Sequence, residues 1–483
     1  MDWILAGILL YVIVVLRVCL HIIYHTNSTA KAFAYVLISI FIPVIGILIY
    51  LSVGLNYRKN KLYSKKIYTD DRMLERLREQ ITLESEKTWS TDEPEVQKHK
   101  KLARFLLNDS MSPLSGHNEV KLLINGEQKF AEAFEAIRNA KRHIHIEYCI
   151  YEDDEIGNQL KDLLIQKARE GVIVRLIYDD FGSRSIRKSI VPELRAAGVQ
   201  AYPFYEVVFI YLANRINYRN HRKIIVVDGC IGFVGGINIS DRYINKSSEK
   251  KKLYWRDTHV RIEGPGIYYL QYLFICDWNF CSQEQLEPQG DFFCLKPIND
   301  GNSIVQMAAS GPDSDSPSIM LALIQAMGVA EEELLITTPY FIPAASVVEA
   351  IKVASMSGVD VKLLVPYKSD SYLVNAAARS YYSELLDAGV EIYLYKKGFI
   401  HAKTIVSDTQ LSIVGTANMD LRSFAFNFEV TAMIYDNKVA KQLRDAFYND
   451  IKDAEMIDQK TWDSRGKWEQ LPEKIMRLFS PLL

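Results

Sequence analysis

The sequence predicts an α/β protein built from an internally duplicated unit, with a membrane-seeking N-terminus. Three observations carry this. From about Lys121, short apolar strand-like runs alternate with amphipathic helical segments, the pattern of a largely buried sheet flanked by helices. A set of segments in the first half recurs in order in the second. Two apolar runs occupy most of the first 55 residues.

At the N-terminus, Trp3 to Ile23 is apolar apart from Arg17 and His21, and Ala32 to Leu55 carries no charge. The second run is long enough to span a bilayer, which takes about 20 apolar residues. The first is the weaker span, because Arg17 would have to snorkel or pair. His25 to Lys31 reads as a tight turn between two spans. Pro43 and Gly46 are expected to kink the second run, so a re-entrant hairpin stays open as an alternative. A cleaved signal peptide fits poorly, since no basic segment precedes the first run and a second run comes after it. Arg58, Lys59, Lys61, Lys65 and Lys66 come next. They predict a cytoplasmic location for the rest of the chain, and either attract anionic headgroups or form a solvated linker. Thr69 to Asn108 is charged with helical spacing, broken at Thr91-Asp-Glu-Pro94, and reads as a helical lead-in.

The chain has 483 residues, 49% hydrophobic and 24% charged, so most of it should be globular, in more than one domain. A net charge of −2 argues against a general nucleic-acid binder. The six cysteines, at 19, 149, 230, 276, 281 and 294, show no metal-ligand spacing, and a reduced, cytosol-facing chain is the simplest reading.

The repeat aligns Ile144–Tyr151 with Leu334–Phe341, Gly171–Ile177 with Gly358–Leu364, and Glu193–Val199 with Glu384–Val390. A period this long indicates a duplicated domain. Each copy then reaches the same pattern: His221-x-Lys223-x4-Asp228 with Gly235 and Asn238 after it, and His401-x-Lys403-x4-Asp408 with Gly415 and Asn418 after it. Residues 221–227 read as a strand ending in an Asp228-Gly229 turn, with His221 and Lys223 on one face, as are His401 and Lys403. The strands Gly232 to Ile239 and Leu411 to Asn418 are expected to return antiparallel, their glycines allowing close backbone approach to a phosphate. Asp228 and Asp408 are expected off the His-Lys face, as turn carboxylates in preference to direct chemistry. Asp257 and Glu429 lie beyond the motifs at equivalent positions and are candidates to orient the histidines. Paired imidazoles suit phosphodiester exchange: one attacks phosphorus while the other protonates the leaving alcohol. Lys223, Lys403, Asn238 and Asn418 can hold the non-bridging oxygens.

The doubled His-x-Lys-x4-Asp resembles the signature of the phospholipase D superfamily. More narrowly, Ile42–Leu51, Asn217–Lys223, Trp255–His259, Phe399–Thr404 and Ser480–Leu483 are similar to segments of the bacterial cardiolipin synthases. The resemblance covers nearly the full length, least clearly Thr69 to Asn108. It implies two similar phospholipase D-like α/β lobes related by a pseudo-twofold axis, with both His-Lys pairs in one cleft, behind an N-terminal transmembrane helical hairpin. The corresponding division is anchor 1–60, charged linker 61–115, lobes 116–295 and 296–460, and an amphipathic tail 461–483. It carries the catalytic set onto His221, Lys223, Asp228, His401, Lys403 and Asp408, with His221 as nucleophile by analogy, since sequence symmetry alone does not separate the histidines. It implies transfer of a phosphatidyl group between two phosphatidylglycerols, giving cardiolipin and glycerol, with no metal or cofactor, at an anionic phospholipid membrane and with no nucleic-acid partner. The implied location is the cell membrane, multi-pass, with the lobes in the cytoplasm.

Lys250, Lys251 and Lys252 are either a headgroup-binding or a solvated loop, Val207–Leu212 either an acyl-chain entry or core, and Ile475–Phe479 either a membrane contact or packing. Rival readings are water or another alcohol as acceptor, a nuclease, and a non-enzymatic scaffold. The scaffold predicts decay of one motif copy, and both are intact.

Overall fold

The computed structural model describes residues 2–26, 29–50, 61–90, 94–205, 218–245, 253–282, 284–288, 290–293, 301–314 and 316–480. Among the described residues nine strands precede residue 270: β1 Ser115–Ile124, β2 His143–Tyr148, β3 Ile173–Tyr178, β4 Gln200–Pro203, β5 Arg219–Asn220, β6 Lys223–Val227, β7 Ile231–Gly235, β8 Tyr254–Arg256 and β9 Thr258–Glu263. Eleven come after it: β10 Ser303–Ser310, β11 Glu333–Thr337, β12 Phe341–Ile342, β13 Asp360–Pro366, β14 Glu391–Tyr395, β15 Gly398–Ile400, β16 Thr404–Ser407, β17 Leu411–Gly415, β18 Met419–Asp420, β19 Asn427–Tyr435 and β20 Ala454–Met456. Among the described residues sixteen of them form one mixed sheet in the order β20-β14-β13-β11-β16-β17-β19-β10-β1-β9-β7-β6-β2-β3-β4, with β5 on β19. Parallel pairs at both ends (β2 with β3, β11 with β13) and antiparallel ones towards the middle account for the buried, near-continuous apolar strands.

Helices cover both faces. In chain order they are α1 Asp2–His25, α2 Thr29–Phe41, α3 Pro43–Ile49, α4 Lys61–Trp89, α5 Pro94–Lys98, α6 Lys100–Ser110, α7 Asn125–Asn139, α8 Glu155–Arg169, α9 Ile190–Ala196 and α10 Tyr268–Cys281. Then come α11 Ser318–Gly328, α12 Ala345–Met356, α13 Tyr372–Arg379, α14 Tyr382–Asp387, α15 Leu421–Ala425, α16 Asn437–Asp450, α17 Gln459–Asp463 and α18 Lys467–Leu478. Residues of α4, α10 and α16 join strands from both ends of the sheet in a single core. The other face carries two separate cores, one under α7, α8 and α9 and one under α6, α11, α12 and α14. One shared core therefore ties the two copies of the repeat together, while each keeps its own on the opposite face.

The N-terminal expectation is corrected in its ranking. Among the described residues one helix is long and apolar enough to cross a membrane, Leu5–His25 within α1, the run taken as the weaker span. The second run breaks into α2 and α3 at Ile42-Pro43, where proline starts the new helix and removes a backbone donor. Gly46 lies so close to the Ile38 carbonyl that a Cβ would sit 2.6 Å from it, so α3 bends back on α2. The basic cluster loses one expected member, Lys66. Arg58 and Lys59 lie outside the described residues, as do Lys250, Lys251, Lys252 and Val207–Leu212. Lys66 is buried among Asp70, Asp277 (3.3 Å) and Asp313 (2.9 Å), and it pins α4 to α10. Cys19, Cys149, Cys276 and Cys281 are free thiols, but Cys230 is disulfide-bonded, which departs from a fully reduced chain.

The hairpins β6–β7 and β16–β17 are antiparallel, as expected, and shorter, ending at Gly235 and Gly415. Their turns put Asp228 at φ 52° and Asp408 at φ 51°. Both carboxylates point away from the His-Lys face and into the backbone of a neighbouring strand. Asp228 accepts backbone N–H groups from Lys141, Arg142 and His143 (2.8, 2.7 and 2.9 Å), and Asp408 those of Glu331, Glu332 and Glu333 (2.9, 2.8 and 2.9 Å). Each clamps the entry to a strand, β2 or β11, at the far end of its strand from the histidine. Burial pushes both carboxyls up, but the backbone donors, joined at Asp408 by Lys98, outweigh it and hold them below the usual range.

Asp228→Ala or Asp408→Ala is therefore expected to cost about 2 kcal/mol of stability at neutral pH, since charged hydrogen bonds are lost. A carboxyl held low in the native state stabilises above its unfolded pKa of about 3.9. That contribution is lost as pH falls through the lower native value. Denaturant melts of wild type and variant should converge in acid, and a gap that persists there would contradict the clamp.

Candidate active site

The two motif histidines sit in short joints, not inside strands: His221 in the two residues between β5 and β6, His401 in the three between β15 and β16. The strand expected from 221 starts only at Lys223, because the chain changes partners there. β5 pairs in parallel with Asn427–Phe428 of β19, and β15 pairs in parallel with β8. Each histidine is thus delivered to the edge of the other copy's acidic segment. His221 N–H donates to the Phe428 carbonyl at 2.9 Å and His401 N–H to the Arg256 carbonyl at 2.7 Å. The residue after each carbonyl is a carboxylate. His221 Nδ1 lies 2.9 Å from Glu429, and His401 Nδ1 lies 2.7 Å from Asp257 Oδ2. The two candidate orienting residues are brought to the histidines, in crossed fashion: the acid after the second motif holds the first histidine, and the reverse.

A carboxylate that accepts from Nδ1–H fixes the tautomer and leaves Nε2 with its lone pair outward. Neither Nε2 has a protein partner among the described residues. Lys223 Nζ donates to the His221 carbonyl (2.8 Å), and Lys403 Nζ donates to the His401 carbonyl and lies 3.0 Å from His401 Nδ1. Asn238 and Asn418 are buried, and among the described residues neither amide oxygen has a partner, so both amides hold unused polar capacity. Such orphans are costly unless something else binds there. Trp255, Phe399 and Tyr243 ring His401 with centroids 5.7, 6.0 and 5.9 Å away.

The copies differ at one telling position. Thr416 donates its hydroxyl to Glu429, and Asn427 adds a bond at 3.2 Å. The equivalent of Thr416 in the first copy is Gly236, where a Cβ would stand 2.2 Å from Asp257 Oδ1. The glycine space expected to admit a phosphate is thus filled by the carboxylate. The electrostatics differ accordingly. Burial raises both acids, but His221, Lys223 and Thr416 bring Glu429 below its usual range, while Asp257 stays raised to about 7 despite Lys403. Burial lowers His221, Lys223 and His401, and brings Lys403 down to about 7 even though Asp257 opposes this. The charges of Lys223, Lys403 and His221 all act on His401, so the two motifs share one electrostatic site. A cavity of ≈ 20 Å³ lies against Lys403, lined also by Thr338 and Thr431, with room for one water.

Other residues were not singled out by the sequence. Arg222, between His221 and Lys223, faces the opposite way and is buried against Asp277, with Nε 3.4 Å from the Glu429 carbonyl. Asn220 donates to buried Glu147. Strand alternation was the available signal: an arginine between two inward-facing residues points to the other buried face and needs an acid there.

A family model described as "Cardiolipin synthase, PLD-like domain" matches residues 133–254 and 323–451, once around each motif. The chain is 38% identical over 484 residues to a cardiolipin synthase of Listeria innocua, covering 99% of this chain and 100% of that one. It is 40% identical over 443 residues to one from Geobacillus sp. (strain WCH70), covering 91% and 86%. The chain belongs to the cardiolipin synthase family. Membership of the cardiolipin synthase family makes it a phosphatidyltransferase with phospholipase D-like domains. The fold is shared with phosphatidylserine synthase of Haemophilus influenzae Rd KW20 (TM-score 0.57, 16% identity, 79% of this chain and 96% of that one).

Two outcomes are expected for this cardiolipin synthase family enzyme. Thr416→Val should lower kcat by about tenfold, the worth of one charge-assisted hydrogen bond, with little change in KM. A cation depressed to about 7 is charged below that pH and neutral above it. The kcat/KM profile should therefore fall on the alkaline side of about 7 as Lys403 loses its proton, and the kcat profile, with an anionic phosphate bound, should fall at higher pH. Coincident alkaline limbs would contradict the assignment to Lys403.

Proposed function

We propose that the enzyme transfers a phosphatidyl group from one phosphatidylglycerol to the free glycerol hydroxyl of another through a phosphatidyl-histidine. His221 Nε2 attacks phosphorus, the P–O bond to glycerol breaks, and His401 gives the leaving oxygen its proton. The hydroxyl of the second lipid then attacks, His401 takes that proton back, and the P–N bond breaks, giving cardiolipin and free His221. Lys223, Lys403, Asn238 and Asn418 neutralise charge on the non-bridging oxygens. The observation that carries this reading is the crossed pair of histidine–carboxylate bonds, which leaves two outward imidazole nitrogens among two lysines. The division of labour is supported by the asymmetry of the acids. Glu429, bonded by Thr416 and Asn427, stays ionised and enriches His221. Asp257, raised to about 7, keeps its proton near neutral pH and donates it in the hydrogen bond to His401 Nδ1, so that His401 Nε2 carries the proton given to the leaving oxygen.

The finer architecture belongs to the same proposal: lobes at 116–295 and 296–460 related by a pseudo-twofold axis, a linker at 61–115 and a tail at 461–483. The strand order mirrored about β1 and β10, and the reciprocal β5–β19 and β15–β8 pairings, support it. The proposal also takes in an anchor at 1–60, a hairpin of α1 with α2 and α3, in the cell membrane, with anionic phospholipid as partner and no nucleic acid. Arg58, Lys59, Lys61 and Lys65 favour lobes in the cytoplasm, and the disulfide at Cys230 weighs the other way.

Purified enzyme in phosphatidylglycerol vesicles should release cardiolipin and glycerol in equal amounts and carry an acid-labile, alkali-stable phosphatidyl label. His221→Ala should lose the label and at least about 10³-fold in rate. Phosphatidic acid with glycerol and no cardiolipin would make water the acceptor; a labelled His221→Ala protein would move the nucleophile.

A further inference from the structure

α18 is an amphipathic helix mounted inside out. Its inward face carries Glu473, buried and bonded to Arg379 at 2.8 Å and to Arg465 at 2.8 Å. Its outward face carries the apolar residues. Trp468 is 86% exposed, Leu471 41%, Ile475 44% and Leu478 78%. The spacing 468, 471, 475, 478 runs as one helical stripe, and Phe479 continues it. Lys467 and Lys474 flank the stripe, while Arg477 turns inward to Glu384 at 2.6 Å. A water-facing helix normally turns such a stripe to the core; here the core side is held by an ion-pair network, so the stripe is left for another apolar phase.

The stripe also has a position relative to the chemistry. α18 packs on α13, whose first residue, Tyr372, is 75% exposed. Two residues before it, Asp370 accepts the Tyr340 hydroxyl at 2.7 Å, and the Tyr340 ring lies tilted 6.3 Å from Phe399, which flanks His401. The charge of Asp370 acts on His401. The exposed patch is therefore joined to the His401 side of the site through a single short segment.

We propose that the α13–α18 surface is a membrane-docking face that seats the active-site mouth on an anionic bilayer. The occupant is a lipid surface because the patch combines Trp and Tyr with aliphatic side chains and flanking cations. That is the composition of a helix lying in the interface plane, and α1 is long and apolar enough to cross a membrane. This rests on the reading that the substrate is a bilayer lipid.

The test uses the full chain in phosphatidylglycerol–phosphatidylcholine vesicles, plain or with brominated acyl chains. The fluorescence lost in Trp468→Phe isolates the Trp468 signal, which should be quenched by about twofold or more in brominated vesicles, as for a residue at acyl depth. Leu471→Gln/Leu478→Gln, both at exposed positions, should cut cardiolipin formation on vesicles about fivefold or more. It should leave the rate on monomeric short-chain phosphatidylglycerol unchanged. An unquenched Trp468, an equal loss on monomers and vesicles, or a self-association that the double variant abolishes would overturn the proposal. Quenching requires no turnover, so quenching without cardiolipin would fault the substrate reading and leave the docking face standing.

Discussion

Everything at this site hangs on a chain crossing. A histidine must be held at Nδ1 if its Nε2 is to aim at phosphorus, and each motif here lacks its own holder. The carboxylate for His221 stands 208 positions downstream and the one for His401 stands 144 upstream. Parallel pairing of β5 with β19 and of β15 with β8, with the two histidine N–H bonds, brings them together. Neither copy of the repeat is therefore a complete site. The sheet that joins β1 to β10, and the core of α4, α10 and α16 beneath it, keep the exchange in register.

Burial then sets the chemistry. Two histidines, two lysines and two acids within one desolvated space cannot all keep their ordinary ionisation. Lys403 and Asp257 are both brought to about 7 from opposite directions, so small local differences decide which group holds a proton. A threonine in one copy and a glycine in the other is such a difference. It gives Glu429 a hydroxyl donor, whereas the bonds of the Asp257 carboxyl among the described residues are with backbone and histidine. Duplication supplied two imidazoles of equal standing, and Thr416 against Gly236 makes them unequal.

The α/β class, the duplication, the hairpin turns and the His, Lys, Asn and acidic candidates were legible because they depend on period-two alternation and on repetition at a fixed offset. The crossing was not, since a repeat shows which residues are equivalent but not which of them exchange partners. The start of β6 at Lys223 was missed for the same reason: local apolar pattern reads straight through a joint where pairing changes. The motif aspartates were half legible, their odd spacing from lysine showing that they leave the catalytic face, and only the backbone donors at the entry to β2 and β11 showing what they do. At the N-terminus, apolar length ranked the second run first, and one proline reversed that by ending α2. Lys66 reads as one more cation in a basic cluster until α10 and Asp313 fold around it.

The measurement that tests the crossing most directly is a pair of double-mutant cycles on unfolding free energy of the full chain. His221→Ala with Glu429→Gln should show a coupling of about 1–3 kcal/mol, as for residues in direct contact. His221→Ala with Asp257→Asn, the acid of its own copy, should be additive to within about 0.5 kcal/mol. The reverse pattern, with coupling inside each copy and none across, would contradict the account.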